Sequence, residues 1–197
     1  MARTGHEIYL VRHGETEWSL SGQHTGVTDL PLLPQGETAA RALAARLEGH
    51  AFALNLSSPM QRARETARLS GHGDGLDVTE DLMELGYGEY EGLTTKEIRE
   101  TRPGWDVWLD GSPGGEPLEQ AAARVDRVID RALEATGDTV VFAHGHILRI
   151  LGARWMGLGP EGGAALALGT ASLCVLGFER DRRVLWLWND TSHVPPH

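Results

Sequence analysis

Three short stretches carry side chains suited to an anion, and each directly follows an apolar run. Arg12-His13-Gly14 follows Ile8–Val11, Ser58-Pro59-Met60-Gln61-Arg62 follows Ala53–Leu56, and His144-Gly145-His146 follows Val140–Ala143. The apolar runs have the length and residue types of strands. In an open α/β sheet, ligands bind beyond the carboxyl ends of strands. Two arginines and two histidines gathered there, with no cysteine and few carboxylates, suit an anion whose charge is held while a histidine attacks it.

His13 is the candidate nucleophile. A neutral imidazole can attack phosphorus and split one hard transfer into two easier ones. Arginines on either side disfavour the imidazolium and keep the ring neutral. Arg12 and Arg62 offer planar forks matched to phosphate oxygens, and His144 would add a donor. Gly14 lets the backbone approach a ligand closely. Ser58 reads as a helix N-cap and Pro59 as the first helical residue, so Arg62 falls in the opening turn and the helix N-terminus adds N–H groups. A leaving alcohol needs a proton, and Glu80, Asp81, Glu84, Glu89 and Glu91 are candidates. Glu84 is preferred because Leu82-Met83-Glu84-Leu85 implies partial burial, which suits general acid work beside a dianion. His144 and His146 also admit a metal reading, but no cysteine, aspartate or third ligand stands at metal spacing.

The elements that must position these groups alternate between strand and helix signals, which predicts an α/β fold with a largely parallel sheet. Helices are expected over 35–48, from Pro59 to near Gly71, over 118–135 and from His146 to Gly157; Leu118, Ala121, Ala122, Val125, Val128, Ile129 and Ala132 form one apolar stripe. Ser172–Phe178 and Val184–Trp188 read as a hairpin, hence an antiparallel edge whose open side could pair two subunits. The stretch of about 79–116 reads as a lid-like insertion over the strand ends, helical at Thr95–Thr101. Trp105 and Trp108 fit core or pocket wall equally, while Trp155, Trp186 and Trp188 read as packing. His24, His50, His72, His193 and His197 read as surface histidines, although His24 lies near the first motif.

Composition sets the limits. At 197 residues and 41% hydrophobic content, the chain suffices for one domain spanning 1–197. Net charge is −10, Lys+Arg total 18, and Lys96 is the only lysine, so a nucleic-acid partner is disfavoured. Arginines gathered at one site of an acidic chain imply a small anionic ligand. Cys174, the single cysteine, excludes an intramolecular disulfide and fits a reducing, cytoplasmic setting. No signal peptide is read before the first strand, and the most apolar long stretch, 163–178, is too short and interrupted to span a bilayer.

Taken together, Leu10–Trp18, Gly22–Gly26, Thr28–Leu32, Ser57–Ala67, Leu82–Gly92 and His144-Gly145-His146 resemble the histidine phosphatase, or phosphoglycerate mutase-like, superfamily, over about residues 7–178. The resemblance implies a three-layer α/β/α sandwich with a mostly parallel mixed sheet, and a phosphomonoesterase acting on a small metabolite such as a sugar phosphate without metal or organic cofactor. It implies that His13 is phosphorylated in turnover, that Arg12, Arg62 and His144 complete the phosphate pocket, and that Glu84 donates a proton and later activates water. Thr25, Gly26 and Tyr87 fall where the family contacts the rest of the substrate, with Ser19 and Gly145 also on that side. Ser19 stands where the family's common pattern has asparagine, which puts one phosphate contact in doubt. Trp18–Gly26, Trp105–Gly111 and Phe142–His146 resemble small actinobacterial acid phosphatases and the sedoheptulose-bisphosphatase-like branch. Mutases of the superfamily carry a longer shielding insertion, so the short middle segment favours hydrolysis over phosphoryl transfer between two carbons. A phospho-ligand binding module without catalysis is the remaining alternative, and intact His13 and Glu84 argue against it.

Overall fold

Apolar strands separated by amphipathic helices must bury both faces of a sheet, and the computed structural model, which describes residues 3–194, does so. In chain order the elements are β1 (Arg3–Arg12), α1 (Glu17–Ser21), α2 (Pro34–Leu47), β2 (Leu54–Ser57), α3 (Gln61–Leu69), β3 (Asp77–Val78), α4 (Thr95–Thr101), α5 (Val107–Asp110), α6 (Leu118–Glu134), β4 (Thr139–Ala143), α7 (Gly145–Trp155), β5 (Leu173–Glu179) and β6 (Arg182–Asp190). The sheet order is β3-β2-β4-β1-β5-β6. Strands β1, β2, β3 and β4 run parallel, whereas β5 and β6 add an antiparallel edge.

β4 is buried along its whole length, as a central parallel strand with helices on both faces requires. Leu10, Leu56 and Val141 pack on one face against the apolar stripes of α6 and α7. Tyr9, Val11 and Phe142 pack on the other against Leu43 and Leu47 of α2 and Ala67 of α3. These are the outer layers of an α/β/α sandwich. Each fully buried aliphatic side chain, Val125 of α6 for example, contributes roughly 1.5–3 kcal/mol. Helix α2 begins at Pro34, whose fixed φ suits the first turn, and α1 is held by a capping box between Thr16 and Ser19.

Register brings the three motifs side by side. Arg12 pairs with Ala143 and Ser57 with Phe142, so β1, β4 and β2 end level with one another. The His13 N–H donates to the Ala143 carbonyl and the Ser58 N–H to the Phe142 carbonyl, both at 3.0 Å. His13, His144 and Ser58 therefore leave the sheet at the same edge.

One expectation needs correction. Helix α3 starts at Gln61, not at Pro59, and Ser58 is not its N-cap. The Ser58 hydroxyl is turned toward His144, and the Asp29 carboxylate instead accepts the Gln61 N–H at 2.9 Å. A distant loop thus supplies the cap that sequence reading assigned locally, although Arg62 still lies in the opening turn. The segment 79–116 contains α4, α5 and two 3-10 turns, and Trp105 and Trp108 are buried in the α6–α7 core. Cys174 is buried, and burial pushes its thiol up to about 12, as an inert packing residue requires. Among the described residues no helix is long and apolar enough to cross a membrane. His197 lies outside the described residues.

Candidate active site

The level ends of β1 and β4 place the rings of His13 and His144 with centroids 5.2 Å apart, within the span of one phosphoryl group. His13 is buried, and its Nδ1 lies 2.7 Å from the Gly14 carbonyl. A carbonyl can only accept, so Nδ1 carries the proton and Nε2 keeps its lone pair. Burial, and then Arg12 and Arg62, push the His13 imidazole well below its ordinary value of 6.5, against the Gly14 carbonyl. The ring is a neutral, oriented base with one nitrogen available to attack.

Arg12 donates through Nη1 to the Leu168 carbonyl at 2.6 Å, while its buried Nε has no protein partner among the described residues. Leaving a buried donor unpaired costs about 1–3 kcal/mol, a cost that an anion at this position would offset. Burial lowers the Arg12 guanidinium and the Glu84 carboxylate opposes that most strongly. Arg62 is more committed. Its Nε–H donates to His144 Nδ1 at 3.1 Å, and its terminal nitrogens donate to the carbonyls of Thr25, Gly26 and Thr28. Because His144 Nδ1 accepts, its Nε2 carries the proton and meets the Ser58 hydroxyl at 2.7 Å. Both nitrogens of His144 thus have protein partners. Burial, then Arg62 and His13, hold this imidazole well below its ordinary value.

Glu84 is buried at the N-terminus of α7. Its Oε1 accepts the N–H groups of Leu85 and Ile147, both at 2.9 Å, and Oε2 accepts that of His146 at 3.0 Å. The helix end orients the carboxyl, and Oε2, with one donor fewer, retains room for a proton. Of the five acidic candidates only Glu84 lines the pocket; Asp81 pairs with Arg127, and Glu91 accepts the N–H groups of Gly26 and Thr28.

The pocket encloses about 180 Å³, and Arg12, His13, Ser19, Thr25, Tyr87 and Gly145 line it. Ser19 has its hydroxyl tied to the backbone of Thr16, accepting its N–H at 2.8 Å and donating to its carbonyl at 3.0 Å. Gly26 sits behind Thr25, clamped between Glu91 and Arg62. Tyr87 is buried, burial raises its phenol well above 10.0, and the hydroxyl meets His146 Nδ1 at 2.7 Å. The helix N-terminus at this site is that of α7, because α3 gives the N–H of Gln61 to Asp29. Among the described residues no group of three His, Cys, Asp or Glu side chains stands where it could hold a metal ion.

His24 and Arg149 are among the pocket residues that sequence reading does not single out. His24 was assigned to the surface, but it is half-buried against Tyr87 at 4.7 Å and Trp105 at 5.4 Å, and it lines the pocket. Its nearness in sequence to the first motif was the available signal. Arg149 also lines the pocket, and its position three residues beyond His146, on the same helix face, was the signal for it.

Comparison with known proteins agrees with this geometry. The family model described as histidine phosphatase superfamily (branch 1) matches residues 8–191. An acid phosphatase of Mycobacterium tuberculosis is 40% identical over 201 residues, covering 100% of this chain and 98% of that protein. A sedoheptulose 1,7-bisphosphatase of Saccharomyces cerevisiae is 38% identical over 184 residues, covering 77% of this chain and 68% of that one. Among solved structures, a mycobacterial glucosyl-3-phosphoglycerate phosphatase in complex with VO3 superposes with a TM-score of 0.84 at 29% identity, covering 95% of this chain and 99% of that chain. With the motif residues at one sheet edge and the match extending over nearly its whole length, the chain belongs to the histidine phosphatase superfamily.

Proposed function

We propose that the protein is a metal-independent phosphomonoesterase that hydrolyses a small phosphorylated metabolite, a sugar phosphate being one fitting class, through a phosphohistidine. The observation that carries this reading is the His13 ring, fixed by Gly14 with Nε2 free and held neutral between Arg12 and Arg62. Nε2 attacks phosphorus as the ester P–O bond breaks, and Glu84 gives its proton to the leaving alcohol oxygen. The Glu84 carboxylate then takes a proton from water as that water attacks the phosphohistidine, which releases phosphate and restores His13. Arg12 supplies its unpaired donor to the phosphoryl oxygens, and Arg62 and His144 support the site from behind. The segment 79–116 contributes Glu84 and Tyr87 to the pocket wall and serves as its lid. A buried thiol in Cys174 fits a reducing compartment such as the cytoplasm, and the open edge of β6 is where a second copy would pair.

The test is direct. His13→Ala should lose about 10³-fold or more in kcat on a generic phosphate ester. Brief exposure of the wild-type protein to a radiolabelled ester should leave a protein-bound label that survives alkali and is lost in acid. Near wild-type hydrolysis by His13→Ala would end the reading.

A further inference from the structure

Among the described residues the Arg12 side chain has a single hydrogen-bonded anchor, the Leu168 carbonyl that accepts from Nη1. The direction in which its unpaired Nε faces therefore depends on where Leu168 is held. Leu168 belongs to a strap, residues 166–172, that leads into β5. On one side the strap is bonded to the reaction centre. The Ser172 carbonyl accepts the Arg12 N–H at 3.2 Å, and the Ala171 N–H donates to the His13 carbonyl at 3.0 Å. On the other side β6 brackets Leu168. The Trp188 Nε1–H donates to the Ala167 carbonyl at 2.7 Å, and Asn189 Oδ1 accepts the Gly169 N–H, also at 2.7 Å.

A β-bulge builds this bracket. Between the pairs Leu173–Asp190 and Val175–Leu187, β6 advances three residues while β5 advances two. Regular alternation would send Trp188 and Asn189 to opposite faces, and the extra residue lets both reach the strap. Asn189 has a φ of 58°, in the left-handed region that asparagine tolerates better than most residues, and its N–H donates to Cys174 Sγ at 3.3 Å. Trp188 is seated on α7 at Gly152, where an added Cβ would come within 2.7 Å of the indole. Packing alone would not require the indole N–H and the amide oxygen to meet the two residues that flank Leu168.

Resting on the phosphatase reading, the geometry points to Trp188 and Asn189 as positioning residues. By fixing Ala167 and Gly169 they hold the Leu168 carbonyl, and through it they aim Arg12 at the phosphoryl group that His13 receives. Neither is among the residues that line the pocket. Their effect falls on the phosphoryl end of the ester, so it is common to every leaving group and shared by inorganic phosphate.

The test measures kcat/KM on p-nitrophenyl phosphate and on glycerol 3-phosphate, and the calorimetric Kd of inorganic phosphate. Asn189→Gly keeps the backbone free to adopt the bulge and removes the acceptor. Asn189→Asp restores an acceptor, and Trp188→Phe keeps a ring without its N–H. Asn189→Gly and Trp188→Phe should each lose about three- to tenfold in phosphate affinity and in kcat/KM, equally on both esters, the worth of one hydrogen bond. Asn189→Asp should keep most of the wild-type values. In an Arg12→Gln background, Asn189→Gly should cost no further phosphate affinity, because the group it aims is gone. Wild-type phosphate affinity in both single variants, losses that differ between the two esters, or a loss that adds in full to that of Arg12→Gln overturns the assignment. Should Asn189→Gly fail to fold, Trp188→Phe, alone and with Arg12→Gln, gives the same readings. A wild-type protein that hydrolyses no ester, while its phosphate affinity still follows these substitutions, would overturn the phosphatase reading alone.

Discussion

At the scale of single residues, the site is a set of groups whose protonation is arranged by their neighbours. Burial, Arg12 and Arg62 depress the His13 imidazole, so the ring proposed as nucleophile stays deprotonated at pH values where a free imidazole would be charged. The acid limb of kcat/KM that reports His13 should therefore fall below pH 6.5, the ordinary imidazole value. Glu84, as the proposed proton donor, has the opposite duty, and its effect then depends on the leaving group. Glu84→Gln cannot release a proton, so esters of ordinary alcohols should lose about 10²–10⁴-fold in kcat. p-Nitrophenyl phosphate should lose far less, because nitrophenolate leaves without protonation. The ratio of the two losses is the measurement, and equal losses would show that Glu84 only holds the end of α7. The variant also leaves a backbone N–H at α7 without its acceptor, so a stability loss of about 1–3 kcal/mol should accompany the kinetic one.

At the scale of elements, two loops are locked to each other through backbone contacts. A Cβ on Gly36, in the first turn of α2, would lie 2.3 Å from the Glu15 carbonyl oxygen, and one on Gly14 would lie 2.4 Å from that of Gly36. Backbone cannot yield as a side-chain tip can. Gly36→Ala should cost roughly 1–3 kcal/mol in urea unfolding and lower kcat by displacing His13, and an unchanged urea midpoint would refute the close approach. The loop 25–28 is held from the other side. Glu91 accepts the N–H groups of Gly26 and Thr28 while the carbonyls of the same loop fix Arg62. Glu91→Gln weakens that clamp without touching the ester, so kcat should drop by about tenfold, roughly the worth of one charge-assisted bond, with little change in KM. These contacts also mark where sequence reading stops. The level ends of β1, β4 and β2 were legible, because apolar runs followed by His13, Arg62 and His144 fix which strand ends must meet. The cap of α3 was not, since Asp29 reaches Gln61 from thirty-two residues away. His24 was missed for the same reason: the isolated bridge from Gln23 to Thr94 brings its loop against Tyr87 and Trp105, and no local periodicity encodes that contact.

At the scale of the whole molecule, the buried histidines couple the site to the stability of the fold. His13, His144 and His146 are all held well below 6.5, chiefly by burial. In the unfolded chain they titrate near 6.5. Above that pH both states are neutral and pH has no effect through these groups. As pH falls below it, the unfolded chain takes up protons that the folded chain refuses, so stability is lost. The limiting slope is about 1.4 kcal/mol per pH unit for each group, hence about 4 kcal/mol per unit for three. Surface ion pairs do not compete at that size, since an exposed pair such as Arg41–Glu37 is worth about 1 kcal/mol or less. Asp190, held down to about 2 by the Ser192 N–H first, contributes stability that is fully present above its ordinary 3.8 and is lost only toward pH 2, outside this window. Against a total of about 5–15 kcal/mol, a slope of that size makes the three histidines the main route by which stability declines as pH falls below 6.5. Urea unfolding between pH 7 and pH 5 should show this decline, and a flat profile would mean that the three rings are not buried together in solution. Inorganic phosphate at many times its dissociation constant binds only the folded state and should add about 3 kcal/mol. A destabilised apo-protein at acid pH would then regain much of its urea midpoint on adding phosphate, whereas an equal gain in His13→Ala with Arg12→Gln would place the binding elsewhere.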